Sequence, residues 1–537
     1  MQVRQRWTML AAVIGSSMVF LDGTIVNVAL PKIGQELPAS VLGVLEGQTY
    51  VNTGYLAVLA ALLILGGAIS DRYGRKRVFA IGLLGFAATS ALCGLAPTLE
   101  ALVVFRLIQG AAAALLVPGS LALITSTFEG ASLARAFGIW AAATSAATVL
   151  GPVVGGLLVQ YISWRVAFLL NVPLAALALL GLARGVGESV REGASGKFDW
   201  LGSIDVILAV GGLSFGLIRG QQKAWQDPVA WAAIAVGLIA LALFPFLMSR
   251  RKDPLVPLEL FRNRRFAVIN LATFLIYGAL YVYLGYSAIF VQGTLGYSVV
   301  AASLIGLPVG ILLSLLSTKV GGLAGRMGPR RFLIAGPLIM AAGMLWFARI
   351  PATSTAWAAD ASQPSTLLPP TSTLIDILPA MLLFGVGISL VVAPLTSTLM
   401  GSIPVARAGL GSAINNSISR VGSPLIGALV FIAITASFYS SLASQIPELN
   451  PDDPQLRATV APLNQPPRDS SPALVDATKE ASTEAFRFAL LVCAGLLIVG
   501  AAVDGVGLRD REGRDPATTD RATIRKEDES AVGSLGG

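Results

Sequence analysis

The stretch GAISDRYGRKR, residues 67–77, lies between two long apolar runs and returns later in the chain as GGLAGRMGPRR, residues 321–331. Both copies have glycine at their first and eighth positions and basic residues at their end. A short polar turn between apolar runs indicates a tight connection between two membrane helices. Its recurrence predicts that the chain is built from two related halves, as secondary transporters are.

A second repeated stretch supports this division. GPVVG at residues 151–155 returns as SPLIG at residues 423–427. The first repeat is displaced by 254 residues (67 to 321) and the second by 272 (151 to 423), so the two displacements differ by 18. We place the extra residues in the Pro/Ser/Thr-rich stretch 351–373. The pattern predicts two six-helix halves around a pair of inserted helices, with a substrate site where the halves meet.

Composition agrees with an all-α polytopic membrane protein. Of 537 residues, 55% are hydrophobic and only 13% are charged, and the mean hydropathy is +0.74. Soluble domains carry about 25% charged residues, and a membrane helix needs about 20 mostly apolar residues. Apolar runs of that length predict fourteen spans, near residues 8–31, 47–69, 77–97, 100–126, 133–160, 164–183, 200–219, 229–248, 266–291, 299–323, 331–350, 375–400, 409–436 and 485–508.

The division into domains follows these spans. We predict an N-terminal half at residues 1–183, two inserted helices with their linkers at 184–265, a C-terminal half at 266–508, and a disordered cytoplasmic tail at 509–537. The C-terminal half contains a long outer segment, 437–484, that is rich in Pro, Asp, Ser and Ala. This composition favours a flexible loop over a small ordered cap.

The distribution of basic residues predicts the orientation. If the N-terminus is cytoplasmic, most of the 38 Lys and Arg residues fall in inside segments, as the positive-inside rule requires. The C-terminus is then cytoplasmic as well, and short loops with an Ala/Gly-rich composition favour a bacterial plasma membrane. The net charge of +8 is a topology signal that faces the anionic lipid bilayer, so we expect no nucleic acid as a partner.

The rare residue types exclude several classes of site. Histidine is absent, which removes His-based zinc sites, catalytic triads and proton relays. Cys93 and Cys493 both lie in apolar runs, where buried free thiols are expected. We expect no metal and no cofactor. No phosphate-binding P-loop motif occurs, so ATP cannot drive the protein directly. A membrane-embedded enzyme would need a catalytic pair within the spans, and this alternative is weak.

The repeated turn has its own chemistry. Gly67 and Gly74 permit a sharp turn and close helix approach. Asp71 can lie against the positive end of another helix, and Arg75, which follows Arg72, can reach Glu129 at the inner end of the fourth span. The alternative, a charged turn that only anchors the topology, is disfavoured by the spacing of the glycines and the acid.

Two charges inside the spans fall at one depth. Asp22 stands 14 residues beyond Thr8, which places it about 21 Å from the inner end and roughly 9 Å from the outer edge of a 30 Å core. Arg106, counted inward from Glu100, also lies about 9 Å from the outer edge. An unpaired charge there costs roughly 2.5–3.5 kcal/mol on insertion scales. We therefore expect an ion pair or a protonated Asp22.

Together these motifs resemble the major facilitator superfamily and its fourteen-helix drug:proton antiporter branch, the EmrB/QacA-like multidrug exporters. The turn at residues 67–77 resembles the superfamily's signature loop. Four further stretches are similar to motifs of the branch, LDGTIVNVALP at 21–31, RLIQGAA at 106–112, ATVLGPVVGG at 147–156 and NNSISRVGSPLIG at 415–427. The resemblance implies export by antiport, and for 147–156 it implies the antiporter motif, with Gly151, Pro152, Gly155 and Gly156 letting the fifth span bend and approach a neighbour.

A carboxyl group that faces a cavity changes its proton affinity as the cavity wets and dries. Within the resemblance, Asp22 is therefore the candidate proton carrier and Arg106 the group that tunes it. The competing interpretation is a static pair that holds the first and fourth spans together.

The sequence also departs from the family pattern. The second copy of the turn has Gly325 where the first has Asp71, so an acid at this position exists in one half only. The thirteenth span carries no acid, although some relatives that export divalent cations have one there. This lowers the expectation that dications are substrates.

Substrate contacts are predicted from polar and aromatic residues inside the spans. Tyr281 follows Tyr277 by one helical turn, which gives an aromatic wall suited to flat, lipophilic, often cationic molecules, although lipid-facing aromatics would give the same pattern. The remaining cavity candidates are Asn27, Asn52, Tyr55, Asn415 and Arg420. For Arg420, substrate binding and helix tethering are equally favoured. Asp205 is expected to have a structural or interfacial role and not to take part in transport, and Asp504 is expected to reach the interface from a helix end.

The sequence therefore predicts a proton-driven exporter of small lipophilic compounds, powered by the proton gradient and working by alternating access. A dedicated exporter of a self-made siderophore, peptide or lipid precursor has the same sequence features. We expect a monomer, and an adaptor protein in the envelope stays an open question.

Overall fold

The computed structural model describes residues 3–128, 130–187, 199–251, 254–403, 408–467 and 470–508. The predicted cytoplasmic tail, residues 509–537, and the predicted gate residue Glu129 lie outside this part of the chain. All secondary-structure elements in the described part of the chain are helices. The helices are α1 Val3–Glu36, α2 Val44–Tyr73, α3 Arg75–Gly94, α4 Leu99–Thr127, α5 Gly130–Tyr161, α6 Trp164–Leu169, α7 Asn171–Gly185, α8 Trp200–Gln222, α9 Pro228–Arg250, α10 Arg264–Gly293, α11 Val299–Met327, α12 Arg330–Phe347, α13 Leu378–Met400, α14 Ala408–Gln445, α15 Pro454–Thr459 and α16 Pro472–Gly507.

Each predicted span corresponds to a helix. Within the described residues, thirteen helical segments are long and apolar enough to cross a membrane. The sixth predicted span is divided between α6 and α7, which together form one of these segments. The fifth predicted span corresponds to α5, in which Ala146–Tyr161 is the apolar stretch found among the described residues. The all-α polytopic class is confirmed, and the count of fourteen spans stays a prediction.

The repeat seen in the sequence is present in the backbone. The turn between α2 and α3 has Gly74 at φ 102°, and the turn between α11 and α12 has Gly328 at φ 86°. Side chains other than glycine rarely adopt such positive φ values, because their Cβ atom collides with the backbone. The two glycines therefore allow the same sharp turn in both halves.

The inserted helices differ from each other in their surroundings. Helix α8 packs against α2 of the first half and α14 of the second, so it lies across the seam between them. Helix α9 packs mainly against α8. Most of its apolar side chains are exposed, including Leu238, Ile239 and Leu243. Exposed aliphatic residues along a long apolar helix are expected where the neighbour is lipid.

The expected flexible loop at 437–484 is wrong for the described part of that segment. Helix α14 continues to Gln445, α15 occupies Pro454–Thr459, and α16 begins at Pro472. The physical reason is burial of apolar side chains, because Tyr439, Leu442, Leu456, Leu463, Ala477 and Ala481 are all buried. The Pro- and Asp-rich composition hid these residues. Pro454 and Pro472 stand in the first turn of helices, where proline is well tolerated.

The two halves are joined by hydrogen bonds at the end of the molecule where α1 ends and α2 begins, which we call the clasped end. Side chains of the first half meet the second half and its connecting segments there. The contacts are Gln48 Nε2 to Asn464 Oδ1 at 3.1 Å, Gln292 Nε2 to the Val28 carbonyl at 3.1 Å, the Val300 N–H to Gln160 Oε1 at 2.9 Å, and Tyr161 Oη to Asp360 Oδ1 at 2.6 Å.

Candidate functional site

The centre of the first half holds a buried ion pair. It joins Asp22 on α1 to Arg106 on α4, and the distance between Arg106 Nη1 and Asp22 Oδ2 is 2.5 Å. Asp22 is 3% exposed and Arg106 is fully buried. The structure therefore brings together the two charges that the sequence placed at one depth. A pair this close offsets much of the cost of burying both charges, because attraction is strong where water is excluded.

Neutral side chains complete the coordination of the Asp22 carboxylate. Gln109 Nε2 donates to Asp22 Oδ1 at 3.1 Å, and Asn171 Nδ2 donates to the same oxygen at 3.2 Å. Gln109 also accepts a hydrogen bond from Arg106 Nη1 at 2.8 Å. Asn171 donates further to Ser90 Oγ at 2.9 Å. The network thus connects α1, α3, α4 and the start of α7. Connected buried hydrogen bonds of this kind fix the positions of their members.

The guanidinium of Arg106 has a second set of partners on α2. Its Nε donates to the Val51 carbonyl at 3.1 Å, and its Cζ lies 3.9 Å from the centre of the Tyr55 ring. Tyr55, predicted as a cavity residue, is instead part of this cluster. Within the described residues, Arg106 Nη2 and the Tyr55 hydroxyl are buried without a hydrogen-bond partner. Buried orphan groups are costly, so this site gains when water reaches it.

The cluster has a chemical consequence for protonation. An ionised Asp22 neutralises Arg106, whereas a protonated Asp22 would leave a buried guanidinium without a countercharge. Breaking a buried pair from one side typically costs about 3–5 kcal/mol. The arrangement that the structure shows therefore depends on both charges of the pair.

The predicted gate turn lies at the opposite end of α2. Arg75 Nη1 donates to the Ala122 carbonyl in the last part of α4 at 3.3 Å, and its pairing with Glu129 stays a prediction. Its predicted partner Glu129 lies outside the described residues, as does the side chain of Asp71. Arg72 is exposed at the turn.

Close helix approach at this turn depends on a different glycine from the one predicted. A Cβ atom on Gly67 would make an ordinary contact with Pro118 at 3.6 Å. On the neighbouring Gly66, a Cβ atom would lie 3.0 Å from the carbonyl carbon of Ala114 and closer still to its oxygen. The tight contact between α2 and α4 therefore needs Gly66.

The predicted antiporter motif lies where α5 contacts both halves. A Cβ atom on Gly155 would lie 3.0 Å from Ile25 Cγ2 on α1, and Gly151 meets Thr24 on the same helix. A Cβ atom on Gly156 would lie 2.9 Å from Cβ of Ser303 on α11. Pro152 is accommodated within the continuous helix α5. The glycines thus allow one helix to pack closely on α1 and on the other half at once.

A narrow cavity of about 20 Å³ lies between the halves near the clasped end. It is large enough for roughly one water molecule. Asn52 on α2 and Tyr281 on α10 line it, which places two of the predicted cavity residues at the seam. Asn52 Nδ2 donates to Asn27 Oδ1 at 3.1 Å, so Asn27 supports this wall from α1.

The other predicted cavity residues are dispersed. Tyr277 lies beside Tyr281, with ring centroids 6.2 Å apart. Asn415 donates to Asn270 Oδ1 at 3.0 Å and to Thr273 Oγ1 at 2.9 Å, which joins α14 to α10 within the second half.

Arg420 on α14 faces the first half. Its Cζ lies 5.9 Å from the ring centre of Phe20 on α1, and its Nε is buried without a hydrogen-bond partner among the described residues. The seam between the halves therefore carries a cation on this helix.

Sequence reasoning missed three members of the Asp22 cluster, Ser90, Gln109 and Asn171. Each lies in an apolar run, Ser90 directly after Thr89, and Gln109 follows Arg106 by one helical turn, which was a usable signal. The expectation for Asp504 was wrong. It is fully buried in α16, and both carboxylate oxygens lack a hydrogen-bond partner in the described part of the protein. Neighbouring helices cover it, so it does not reach the interface.

No metal centre is apparent in the residues that the structure describes, since no three Cys, Asp or Glu side chains converge there.

Comparison with known proteins gives three findings. The family model described as Major Facilitator Superfamily matches residues 12–428. The chain is 32% identical over 460 residues to the Multidrug resistance protein Stp of Mycobacterium tuberculosis (strain CDC 1551 / Oshkosh), covering 86% of this chain and 81% of that protein. It is 32% identical over 448 residues to the Puromycin resistance protein pur8 of Streptomyces alboniger, covering 82% and 84%.

Solved structures share the architecture at low sequence identity. The crystal structure of the POT family transporter PepTSo matches with a TM-score of 0.61 and 15% identity, over 94% of this chain and 97% of that chain. At this identity the likeness concerns the fold alone.

Proposed function

Because the chain belongs to the Major Facilitator Superfamily, as its motifs predicted, and is a multi-pass membrane transport protein, we propose that it is a proton-coupled antiporter that exports small lipophilic compounds. The observation that carries the proposal is the buried Asp22–Arg106 pair with its neutral partners Gln109 and Asn171. It is a proton-binding group inside the membrane whose countercharge is fixed on another helix, and intramembrane ionisable residues are functional by default.

The coupling follows from the charge balance of the cluster. Ionised Asp22 stabilises the closed arrangement of α1 and α4, and protonation leaves Arg106 without its counterion. The protonated state then favours a conformation in which water solvates the guanidinium. Since Gly151 and Gly155 hold α5 against α1, a movement of α1 reaches the seam with the other half. Proton binding thereby biases the rocking of the two halves.

The orientation is also part of the proposal. With both termini in the cytoplasm, the clasped end faces outward and the turn at Gly74 faces inward. The protein then lies in the plasma membrane with its outer side closed by the contacts of Gln48 and Asn464. The turn carrying Asp71, Arg72 and Arg75 serves as the inside gate.

The export of drugs is supported by the relatives. Two proteins that align with more than four fifths of this chain are named for multidrug resistance and for puromycin resistance. A dedicated exporter of a self-made metabolite would use the same machinery, and the experiment below separates the two.

The test is collapse of a pH gradient in inside-out vesicles on addition of compound. The wild type is compared with Asp22→Asn, using tetraphenylphosphonium as a lipophilic cation and a set of neutral antibiotics. We expect the wild type to release protons and Asp22→Asn to do so at least about tenfold more slowly, the scale of losing a group essential to proton transfer. Asp205→Asn, the same change in the inserted helix α8, is the matched control and should stay within twofold of the wild type.

The outcomes separate the alternatives. Equal proton release by the wild type and Asp22→Asn would make the cluster a structural support and reject the coupling proposal. If no compound moves protons in the wild type while the protein is folded, drug export is rejected in favour of a dedicated metabolite exporter or an uncoupled carrier.

A further inference from the structure

A second cavity, of about 500 Å³, lies on the side of the molecule where α2 and α14 meet beneath the inserted helices; we call it the lateral pocket. We propose that the lateral pocket binds uncharged lipophilic compounds and that the inserted helices α8 and α9 exist as its outer wall. The inference rests on the proposed export function and names the part of the molecule that holds the substrate, together with its charge class.

The inner side of the lateral pocket is formed by the seam between the halves. Ala60, Ala61 and Ile64 of α2 face it from the first half. From the second half, α14 contributes Ile414, Ile418 and Val421, at spacings of four and three residues. These spacings place the side chains on one helix face. A ligand in this pocket therefore contacts both halves, as a molecule carried by their relative movement must.

The outer side is formed by the inserted pair. Val206, Ala209 and Val210 of α8 line the pocket, as do Leu241 and Phe244 of α9. Leu241 is also 51% exposed, and Leu238, Ile239 and Leu243 beside it on α9 are exposed as well, so no further described helix covers this part of the wall. Apart from Ser249 and Arg250 at its end, the other exposed residues of α9 are apolar and suited to lipid, so the pocket lies next to the phase in which lipophilic compounds concentrate.

The chemistry of the lining sets the charge class. The lining residues include no ionisable side chain, and the hydroxyl of Ser417 already donates to the Ala60 carbonyl at 2.9 Å. An ammonium group would be buried here without a negative countercharge, at a cost of several kcal/mol. A volume of about 500 Å³ lies within the range of pockets for small ligands.

The test uses the full-length protein in lipid nanodiscs and two photoreactive probes. One is an uncharged aryl-alkyl diazirine, and the other is its quaternary ammonium analogue. Labelled peptides are mapped by mass spectrometry in the wild type, in Ala209→Phe, which fills the pocket from α8, and in Leu208→Phe, which places the same ring on the exposed side of that helix. Phe244→Ala, which enlarges the pocket from the lipid-facing helix α9, covers the case in which Ala209→Phe fails to fold.

We expect the uncharged probe to label the α8 and α14 peptides of the lateral pocket at least fivefold more than its ammonium analogue does. Ala209→Phe should reduce this labelling at least fivefold, Leu208→Phe should leave it within twofold, and Phe244→Ala should reduce labelling on α9. Labelling that is equal in Ala209→Phe and Leu208→Phe, or equal for the two probes, would overturn the proposal. If Phe244→Ala folds and Ala209→Phe does not, labelling on α9 that is equal in Phe244→Ala and in the wild type would overturn the proposal.

A phospholipid acyl chain is the other possible occupant and has its own arm of the test. A diazirine-labelled phosphatidylglycerol that labels the lateral pocket in place of the uncharged probe, with the same sensitivity to Ala209→Phe, would make the pocket a lipid site and reject substrate binding. The labelling needs no proton gradient. Its failure is therefore distinguishable from a failure of the antiport proposal, which is measured in vesicles with Asp22→Asn.

Discussion

The two halves of the molecule share a backbone plan and differ in charge. Each has a sharp turn at a glycine with positive φ, Gly74 in the first half and Gly328 in the second. The centre of the first half contains the Asp22–Arg106 ion pair. The second half holds a neutral hydrogen-bonded group instead, in which Asn415 on α14 donates to Asn270 and Thr273 on α10.

The difference shows which features belong to the fold and which to the proposed proton chemistry. The turns recur because any rocking pair of helix bundles needs them, and they depend on backbone geometry alone. Within the described residues, an ion pair with both side chains buried lies between α1 and α4, and the centre of the second half shows none. A transporter that couples to one gradient needs one switch, and the neutral network lets the second half move as a counterpart without its own charge to solvate.

Of the changes that test this difference between the halves, removing the charge of Arg106 should have the largest effect on the stability of the protein. In Arg106→Leu the Asp22 carboxylate keeps only Gln109 and Asn171 as donors inside the membrane. We expect a loss of about 3–5 kcal/mol in the free energy of unfolding, as for other buried pairs broken from one side. The measurement is unfolding of the purified protein by increasing SDS in mixed micelles.

Two variants sharpen the result. Asp22→Leu combined with Arg106→Leu should recover most of the lost stability, because no buried charge is left unpaired. In the second half, Asn415→Leu leaves two neutral groups without a donor and should cost about 1–3 kcal/mol. If Arg106→Leu costs no more than Asn415→Leu, the two centres are energetically alike and the contrast drawn between the halves is incorrect.

Much of this fold could be predicted from the sequence, because long apolar runs and repeated turns are direct consequences of crossing a bilayer. All predicted spans fall on helices, and the turn at Gly328 follows from the repeat. The segment 437–484 could not be predicted, since its order depends on buried contacts such as Gln48 with Asn464, which are 416 residues apart. Composition alone does not report such distant partners.

The site was predictable to the extent that depth along a helix is countable. Counting residues placed Asp22 and Arg106 at one level, and the structure brings them together. Counting residues did not show how each helix is rotated about its own axis. Tyr55 was therefore assigned to a cavity, although its ring stacks on Arg106. The lateral pocket depends on how α8 and α9 fold back across the seam, which no local pattern in the sequence shows.

Substitutions at the two turns should have effects of intermediate size. A Cβ atom at a residue with φ near 100° is strained whatever space surrounds it, so Gly74→Ala and Gly328→Ala should each lower the free energy of unfolding by about 1–3 kcal/mol. Helix-preserving Gly211→Ala, at a position where a Cβ atom meets nothing within 4 Å, is the control and should not destabilise the protein.

The rate of transport in these two variants shows whether the two turns differ in function. The first carries Asp71, and the second has Gly325 in its place. We expect Gly74→Ala to reduce the rate of substrate-linked proton release more than Gly328→Ala does at equal loss of stability. Equal rates in the two variants would show that the charges of the first turn add nothing to gating.

The smallest expected effect concerns a contact between the halves at the clasped end. Asp360 Oδ1 accepts hydrogen bonds from the Ser362 hydroxyl and from Tyr161 Oη, each at 2.6 Å. These bonds, that of Ser362 first, hold the pKa of the Asp360 carboxyl below its usual value. Stability from a lowered carboxyl pKa is present above the unfolded value, about 3.9, and is lost as the pH falls through the folded value.

The melting temperature of the protein in detergent should therefore decline slightly more steeply below about pH 4 in the wild type than in Tyr161→Phe, which lacks the bond between the halves. Ser362→Ala removes a bond within the segment and serves as the matched comparison. Because Asp360 is exposed, water screens the interaction and both changes are small. A decline as steep in Tyr161→Phe as in the wild type would mean that this tyrosine contributes nothing to the clasp, and that Gln48, Gln160 and Gln292 hold the clasped end without it.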